Sequence, residues 1–312
     1  MRIHPFATTS RTFLNAALQG RNAGWRYLLG IGLAILLWLG GYFYVGIPIA
    51  QAIAPYLSFD RGVVYSDEIK VETESVAVNS SAFSYISSHI AFAFLCIGIL
   101  SAVKLIHHRK MLTLISPDAS FQAKRFWLGF GLWLALASLQ TLIEFLLQPR
   151  AFVWNFQPLV WLKFLPLALL LTPIQTSGEE LLFRGYLLQG LGLIVRQPIG
   201  LIMLISLPFA IVHFGNPEME RGAAWIALTY LVLAIFLTTI TLQDNRLELA
   251  LGVHAANNLF IVLLVNTRDS VLQTPAMILQ SIPTDPKLTF VELLVSSVIF
   301  CILLFGKRAH QP

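Results

Sequence analysis

The sequence predicts an all-α fold: a polytopic transmembrane helical bundle of about eight spans, with the candidate site inside the bundle. The composition carries this prediction. Of the 312 residues, 56% are hydrophobic and only 12% are charged, whereas soluble domains have about 25% charged residues. Mean hydropathy is +0.72. The second observation is a series of long apolar segments. They predict membrane-spanning helices, because a helix needs about 20 apolar residues to cross a bilayer.

Eight apolar segments follow one another along the chain. They lie at 27–49, 84–106, 126–147, 158–176, 198–214, 223–242, 247–266 and 289–305. The first exceeds the roughly 7–15 apolar residues of a signal-peptide core, so we expect it to remain as the first helix. Pro166 and Pro173 interrupt the fourth, so we expect residues 158–195 to form one long helix or a kinked pair.

Lys and Arg residues are distributed unevenly between the spans, and this sets the expected orientation. The N-terminal arm 1–26 contains four arginines, and basic residues also follow the second span and lie in the tail 307–312. The segment at about 50–83 is rich in Asp and Glu instead. We therefore predict a cytoplasmic arm and tail, a transmembrane domain over 27–306 and an extracytoplasmic loop at 50–83. The compact chain favours a bacterial plasma membrane.

The net charge of +5 is accounted for by this orientation. A nucleic-acid-binding surface would need basic residues interleaved with aromatic residues, and the sequence shows none. The expected partners are therefore the lipid bilayer and a peptide or protein that reaches the membrane, with no nucleic acid.

A small set of polar residues lies where apolar segments should exclude them. Its members are Glu179, Glu180, Arg184, His213, His254 and Asn258. Insertion scales assign about 2.5–3.5 kcal/mol to an ionised residue at the centre of a bilayer, so such residues indicate a functional site by default. The other charged residues lie near segment ends, where their side chains can reach the interface.

Helix geometry divides the roles of the three charged residues in the fourth segment. Glu180 and Arg184 are four residues apart, which places them about 40° apart around a helix and within reach of an ion pair. Glu179 lies about 140° from Arg184 and stays available. We interpret Arg184 as the structural partner of Glu180 and Glu179 as the candidate base. The alternative is that all three form one structural charge cluster.

Two further segments supply imidazoles. Phe209 and His213 are four residues apart and share one helical face, as do His254 and Asn258. Asn257 is the neighbouring alternative to Asn258, but it projects about 100° away from that face.

These residues, in this order, resemble a known family. Glu179-Glu180-Leu-Leu-Phe-Arg184, Phe209-Ala-Ile-Val-His213 and His254-Ala-Ala-Asn-Asn258 look like its three motifs, EExxxR, FxxxH and HxxxN. The family is the CAAX protease and bacteriocin-processing family, CPBP or Abi, of intramembrane glutamic endopeptidases. The resemblance places a CPBP-like core at about 158–266.

The resemblance implies a hydrolase similar to CAAX prenyl protease 2, which acts in CAAX-box protein processing. It implies that Glu179 and His213 activate a water molecule and that His254 and Asn258 hold the oxyanion. Glu180, Arg184 and Phe209 would support the site, and no cofactor is implied. The chemistry agrees, because a partly desolvated glutamate can act as base and then as acid. Fixed donors aimed at the developing charge stabilise the transition state.

Two alternatives remain open. One Glu and two His residues form a common catalytic zinc set, although the sequence lacks the H-E-x-x-H motif and an asparagine suits an oxyanion better than zinc. A membrane scaffold or transporter is the non-enzymatic alternative, although the paired discontinuous helices typical of many transporters are not visible. The substrate is also open: a prenylated C-terminus, a leader peptide, a membrane-protein tail or a bacteriocin precursor.

Overall fold

A computed structural model describes residues 12–57 and 74–306, with side chains from residue 81 onward in the second range. The beginning of the predicted arm, the middle of the predicted 50–83 loop and the predicted tail 307–312 lie outside the described residues.

The described residues form ten α-helices, which confirms the all-α prediction. They are α1 (Gly24–Gly41), α2 (Ile47–Ile53), α3 (Glu74–Ser101), α4 (Ala123–Leu147), α5 (Pro158–Glu180), α6 (Leu188–Gly192), α7 (Pro198–Ile211), α8 (Ala223–Asp244), α9 (Glu248–Leu263) and α10 (Pro286–Phe305). Three π-helical turns extend or join them, at Tyr42–Gly46, Ala102–Ile106 and Leu181–Leu187. Short 3₁₀ turns lie at Ala16–Gln19, Ala54–Leu57, Met111–Leu114, Pro149–Ala151 and Pro217–Arg221.

Each of the eight predicted apolar segments is helical, but the helices fall into two lengths. Six are long and apolar enough to cross a membrane: Gly24–Leu57, Ser81–Ile106, Ala123–Leu147, Pro158–Gly192, Ala223–Asp244 and Pro286–Phe305. The other two, α7 and α9, have 14 and 16 residues. At 1.5 Å per residue they span about 21 and 24 Å, less than the roughly 30 Å of a bilayer core. The FxxxH motif begins on α7 and ends in the turn that follows it, and the HxxxN motif lies on α9.

The fourth span is helical without interruption from Pro158 to Gly192. Helix α5 passes through Pro166 and Pro173 without a break. A π-helical turn, Leu181–Leu187, then joins α5 to α6. This turn begins directly after the two glutamates and contains Arg184, and π-turns of this kind are frequent at functional sites.

A small sheet, absent from the prediction, links two of the connections between helices. Its strands are β1 (Phe152–Trp154), β2 (Val265–Thr267) and β3 (Ile278–Gln280), in the order β1-β3-β2. β1 pairs antiparallel and β2 pairs parallel with β3. The strands have three residues each, too few to show periodicity in the sequence. They satisfy backbone groups of two long connections that meet only in the folded chain.

Helix α9 is held against α4 by a close crossing of the two backbones. A Cβ atom built on Gly252 would lie 2.1 Å from the carbonyl oxygen of Phe126, and one on Gly129 would lie 2.5 Å from the carbonyl oxygen of Leu249. Glycine is therefore required on both helices. Because α9 carries His254, this crossing sets the depth of that imidazole in the bundle.

An ionic network anchors the beginning of α9. Arg246 contacts Glu248 at 2.8 Å and Asp118 at 2.9 Å. Hydrogen bonds with Ser116 and Ser120 hold the pKa of Asp118 at about 2, and the charge of Arg246 acts in the same direction. The network ties the connection before α4 to the beginning of α9.

Candidate active site

The residues of the three motifs meet in one cavity. Its volume is about 800 Å³, and Glu179, His213, His254 and Asn258 all line it. Glu179 comes from the last turn of α5 and His213 from the turn that follows α7. His254 and Asn258 come from consecutive turns of α9. The fold therefore brings together the four residues that the sequence selects.

Glu180 and Arg184 form the ion pair that their spacing predicts. Arg184 Nη1 donates to Glu180 Oε1 at 2.7 Å, and both side chains are fully buried. The guanidinium also donates to the Thr238 hydroxyl at 3.3 Å and the Ala234 carbonyl at 3.2 Å. It lies over the ring of Phe209, 4.1 Å from the centroid. The pair is thus fixed by α8 and by the aromatic residue of the second motif.

Glu179 lies outside this ion pair. Its Oε1 accepts a hydrogen bond from Gln175 Nε2 at 2.6 Å. Its Oε2 lies 3.5 Å from His254 Nε2 and has no hydrogen-bond partner among the described residues. The side chain is 12% exposed. Glu179 therefore presents an unsatisfied carboxylate oxygen beside the cavity.

His254 bridges the two adjacent glutamates. Its Nδ1 lies 2.8 Å from Glu180 Oε1. Because the same oxygen accepts from Arg184 in the ion pair, it acts as the acceptor here and Nδ1 donates. Nε2 then faces Glu179.

His213 lines the cavity with a different set of contacts. Its Nδ1 lies 2.7 Å from the Phe209 carbonyl oxygen, which can only accept, so Nδ1 carries the proton. The ring also packs on Tyr230, with centroids 4.9 Å apart. In the neutral ring Nε2 is an acceptor. Glu179 has no direct contact with His213 in the described structure; the imidazole beside it is His254.

Asn258 and Asn257 belong to the same hydrogen-bonded group. Asn258 Nδ2 donates to Gln175 Oε1 at 3.0 Å, and Asn257 Nδ2 donates to Asn258 Oδ1 at 3.1 Å. Trp133 Nε1 donates to Asn257 Oδ1 at 3.2 Å. The angular separation of the two asparagines on the helix thus does not keep Asn257 away from the site, because their side chains bend towards each other.

Sequence reasoning missed Gln175 and Trp133. Gln175 precedes Glu179 by four residues, so helical spacing was a usable signal for it. Trp133 lies on α4, and the sequence contains no signal that connects it to the motifs.

Other polar side chains line the cavity away from the motifs. Gln140 Nε2 donates to both Glu144 and Glu292, at 3.2 and 3.1 Å. Elsewhere on the wall, Arg221 pairs with Asp269 at 2.6 Å. Glu144 and Glu292 are therefore part of the cavity wall. Their positions near the ends of spans had predicted only that their side chains reach the membrane–water interface.

The described ranges, 12–57 and 74–306, contain no group of three or more His, Cys, Asp or Glu side chains arranged to hold a metal ion. His254 directs Nδ1 at Glu180 rather than into a shared ligand set. Zinc binding is tested directly by chelation and elemental analysis.

Comparison with known proteins identifies the family. The family model described as type II CAAX prenyl endopeptidase Rce1-like matches residues 158–260, which include all three motifs. The chain is also 32% identical over 257 residues to the Bacillus subtilis (strain 168) protein named "Uncharacterized protein YyaK", covering 81% of this chain and 82% of that protein. No solved structure matches the chain. The chain is an integral membrane protein, and it belongs to the CPBP family, the CAAX-type intramembrane proteases.

Proposed function

We propose that the protein is an intramembrane endopeptidase that hydrolyses a peptide bond with a water molecule activated by Glu179 and His213. The observation that supports this most directly is the state of Glu179. Its neighbour Glu180 is fully buried, and its Oε1 accepts from both Arg184 and His254. Glu179 instead lines the cavity and is 12% exposed, and its Oε2 has no hydrogen-bond partner among the described residues. A carboxylate that reaches the cavity beside a fixed charge pair is suited to proton transfer.

Both proposed activating groups are acceptors. Glu179 Oε2 has no hydrogen-bond partner among the described residues, and His213 holds its proton on Nδ1, so that its Nε2 is an acceptor in the neutral ring. A water molecule between them can donate to both while its oxygen attacks the peptide carbonyl carbon. Glu179 takes the proton that the water loses and later gives it to the departing amine nitrogen, which leaves as a neutral amine.

Both proposed oxyanion groups are donors. Asn258 Nδ2 has two N–H groups, and one of them is used by Gln175. His254 Nε2 donates when the ring carries its second proton, and it lies 3.5 Å from Glu179 Oε2. Preorganised donors of this kind are usually the largest electrostatic contribution in acyl transfer.

The proposed substrate is a peptide or protein segment that reaches the cavity from the membrane. We further propose a bacterial plasma membrane with both termini in the cytoplasm, because the N-terminal arm and the connection after the second span are rich in Lys and Arg. The effect of prenylation on cleavage is tested with matched peptides, with and without a prenyl group, that are presented to the protein in nanodiscs.

The decisive experiment compares new peptide termini in membranes from cells that express the wild type or Glu179→Gln. Termini that depend on Glu179 are expected. Glu220→Gln is the matched control, because Glu220 is exposed and lies outside the cavity, and it should give the wild-type pattern. Identical termini in the wild type and Glu179→Gln would refute the proposal.

A further inference from the structure

We propose that Trp133, Asn257 and Gln175 are positioning residues, which form with Asn258 a one-way hydrogen-bond relay ending on Glu179. The inference deepens the proposed function and rests on it, because the relay ends on the proposed base and passes through a proposed oxyanion donor. None of the three positioning residues belongs to the three motifs.

The relay consists of four consecutive hydrogen bonds. Trp133 Nε1 donates to Asn257 Oδ1 at 3.2 Å, and Asn257 Nδ2 donates to Asn258 Oδ1 at 3.1 Å. Asn258 Nδ2 then donates to Gln175 Oε1 at 3.0 Å, and Gln175 Nε2 donates to Glu179 Oε1 at 2.6 Å. Every carboxamide accepts on one side and donates on the other. The last bond is the shortest, as expected for donation to a carboxylate.

The direction of the relay is determined at both of its ends. An indole nitrogen can only donate, so Trp133 requires that Asn257 present its oxygen. An ionised carboxylate can only accept, so Glu179 requires that Gln175 present its nitrogen. The orientation of Asn258 follows from its two neighbours. Reversal of any one carboxamide would place two donors or two acceptors face to face.

The burial of its two anchoring side chains makes the relay rigid. Trp133 is 4% exposed and its ring stacks on Phe236, with centroids 5.1 Å apart. Phe300 packs edge-on against the same ring at 6.1 Å. Gln175 is 8% exposed. Without these partners the buried Gln175 carboxamide would be left with unsatisfied polar atoms, which the bundle disfavours.

The relay has two consequences for catalysis. It turns the Nδ2 group of Asn258, with one N–H not used by Gln175, to the side where an oxyanion needs a donor; the reversed side chain would present lone pairs. It also holds Glu179 Oε1 through the hydrogen bond from Gln175, so that the position of the carboxylate beside His254 is fixed. Trp133 and Gln175 therefore act on the reaction through Asn258 and Glu179.

The first variant to test is Gln175→Met, which keeps the length of the side chain and removes both hydrogen bonds. Glu179 then loses a donor and takes up a proton at higher pH, so the low-pH limb of the pH dependence of kcat moves to higher pH. We expect kcat to fall about 10- to 100-fold, as for one lost hydrogen bond to a charged group. KM should change little, because the lost bond does not contact substrate.

The second variant, Trp133→Phe, keeps the ring stack and removes only the indole N–H. Asn257 is then free to reverse, and we expect a smaller fall in kcat. Trp38→Phe is the matched control. Trp38 also lines the cavity, but its Nε1 has no hydrogen-bond partner among the described residues. In Trp38→Phe, the low-pH limb of the pH dependence of kcat should lie at the same pH as in the wild type.

A measurement that does not use turnover separates this proposal from the proposed function. In infrared titrations, the carboxyl band that disappears in Glu179→Gln should titrate at higher pH in Gln175→Met than in the wild type. If no peptide is cleaved but the band moves, the relay stands and the peptidase proposal fails. The relay is refuted by the opposite result in an active wild type. In that result, folded Gln175→Met and Trp133→Phe keep the wild-type pH for both the Glu179 carboxyl band and the low-pH limb of the pH dependence of kcat.

Discussion

His254 and Glu180 are joined by a 2.8 Å hydrogen bond from Nδ1 to Oε1. The same carboxylate oxygen also accepts from Arg184. This double engagement fixes Glu180 in place and turns the other imidazole nitrogen towards Glu179. Two chemically identical neighbours thereby have different surroundings, and the proposed function assigns Glu180 as the structural anchor and Glu179 as the reactive carboxylate.

Glu179→Gln should abolish peptidase activity and leave the protein folded. The amide cannot take a proton from water, and a general base typically contributes about 10²–10⁴-fold to the rate. Stability should fall much less than in Arg184→Ala, because the Glu180–Arg184 pair is intact. Turnover and thermal unfolding in nanodiscs measure both effects. Full turnover by folded Glu179→Gln protein would rule out the general-base role.

Arg184→Ala should destabilise the protein much more than Glu179→Gln does. The substitution leaves the fully buried Glu180 carboxylate without its guanidinium, and breaking a buried pair in this way costs about 3–5 kcal/mol. Thermal unfolding measures the loss. If Arg184→Ala matches the wild type in stability but loses all activity, the structural assignment is wrong and Arg184 contacts substrate.

Asn258→Ala tests the oxyanion role. Removal of one oxyanion donor typically lowers kcat by about 10²–10³, and we expect a loss in this range with KM nearly unchanged. Single-turnover kinetics on a cleaved peptide provide the measurement. A variant with wild-type kcat would exclude Asn258 from transition-state stabilisation.

Chelation separates the water-activating scheme from the zinc alternative. We expect wild-type protein to remain active after treatment with o-phenanthroline or EDTA and desalting. A zinc enzyme would lose activity and recover it with added zinc. Elemental analysis gives an independent readout: near-stoichiometric zinc that is absent from a His213→Ala, His254→Ala double variant would contradict the metal-free mechanism.

Gly252→Ala tests the helix crossing that positions His254. The new Cβ would lie 2.1 Å from the Phe126 carbonyl oxygen and 2.9 Å from the Phe130 backbone nitrogen. Because both neighbours are backbone atoms, α9 must move, at a cost of about 1–3 kcal/mol. Gly131→Ala is the control, since its Cβ would meet nothing within 4 Å. Loss of stability in the control but not in Gly252→Ala would contradict the close-crossing argument.

The sequence alone determined the features that depend on local periodicity and composition. Apolar segments identified the membrane helices, because a bilayer demands long uncharged runs. The spacing of Glu180 and Arg184 predicted their ion pair, because side chains four residues apart meet on one helix face. The three ordered motifs identified the family and selected the four residues that line the cavity.

Only the tertiary structure decided which of these residues touch one another. The bond between His254 and Glu180 joins residues 74 positions apart, and the bond between Trp133 and Asn257 joins residues 124 positions apart. Such pairs depend on the depth and angle at which helices cross, and those are set by backbone contacts such as the one at Gly252. Side-chain spacing within one helix carries no information about them, because helix packing is decided between segments.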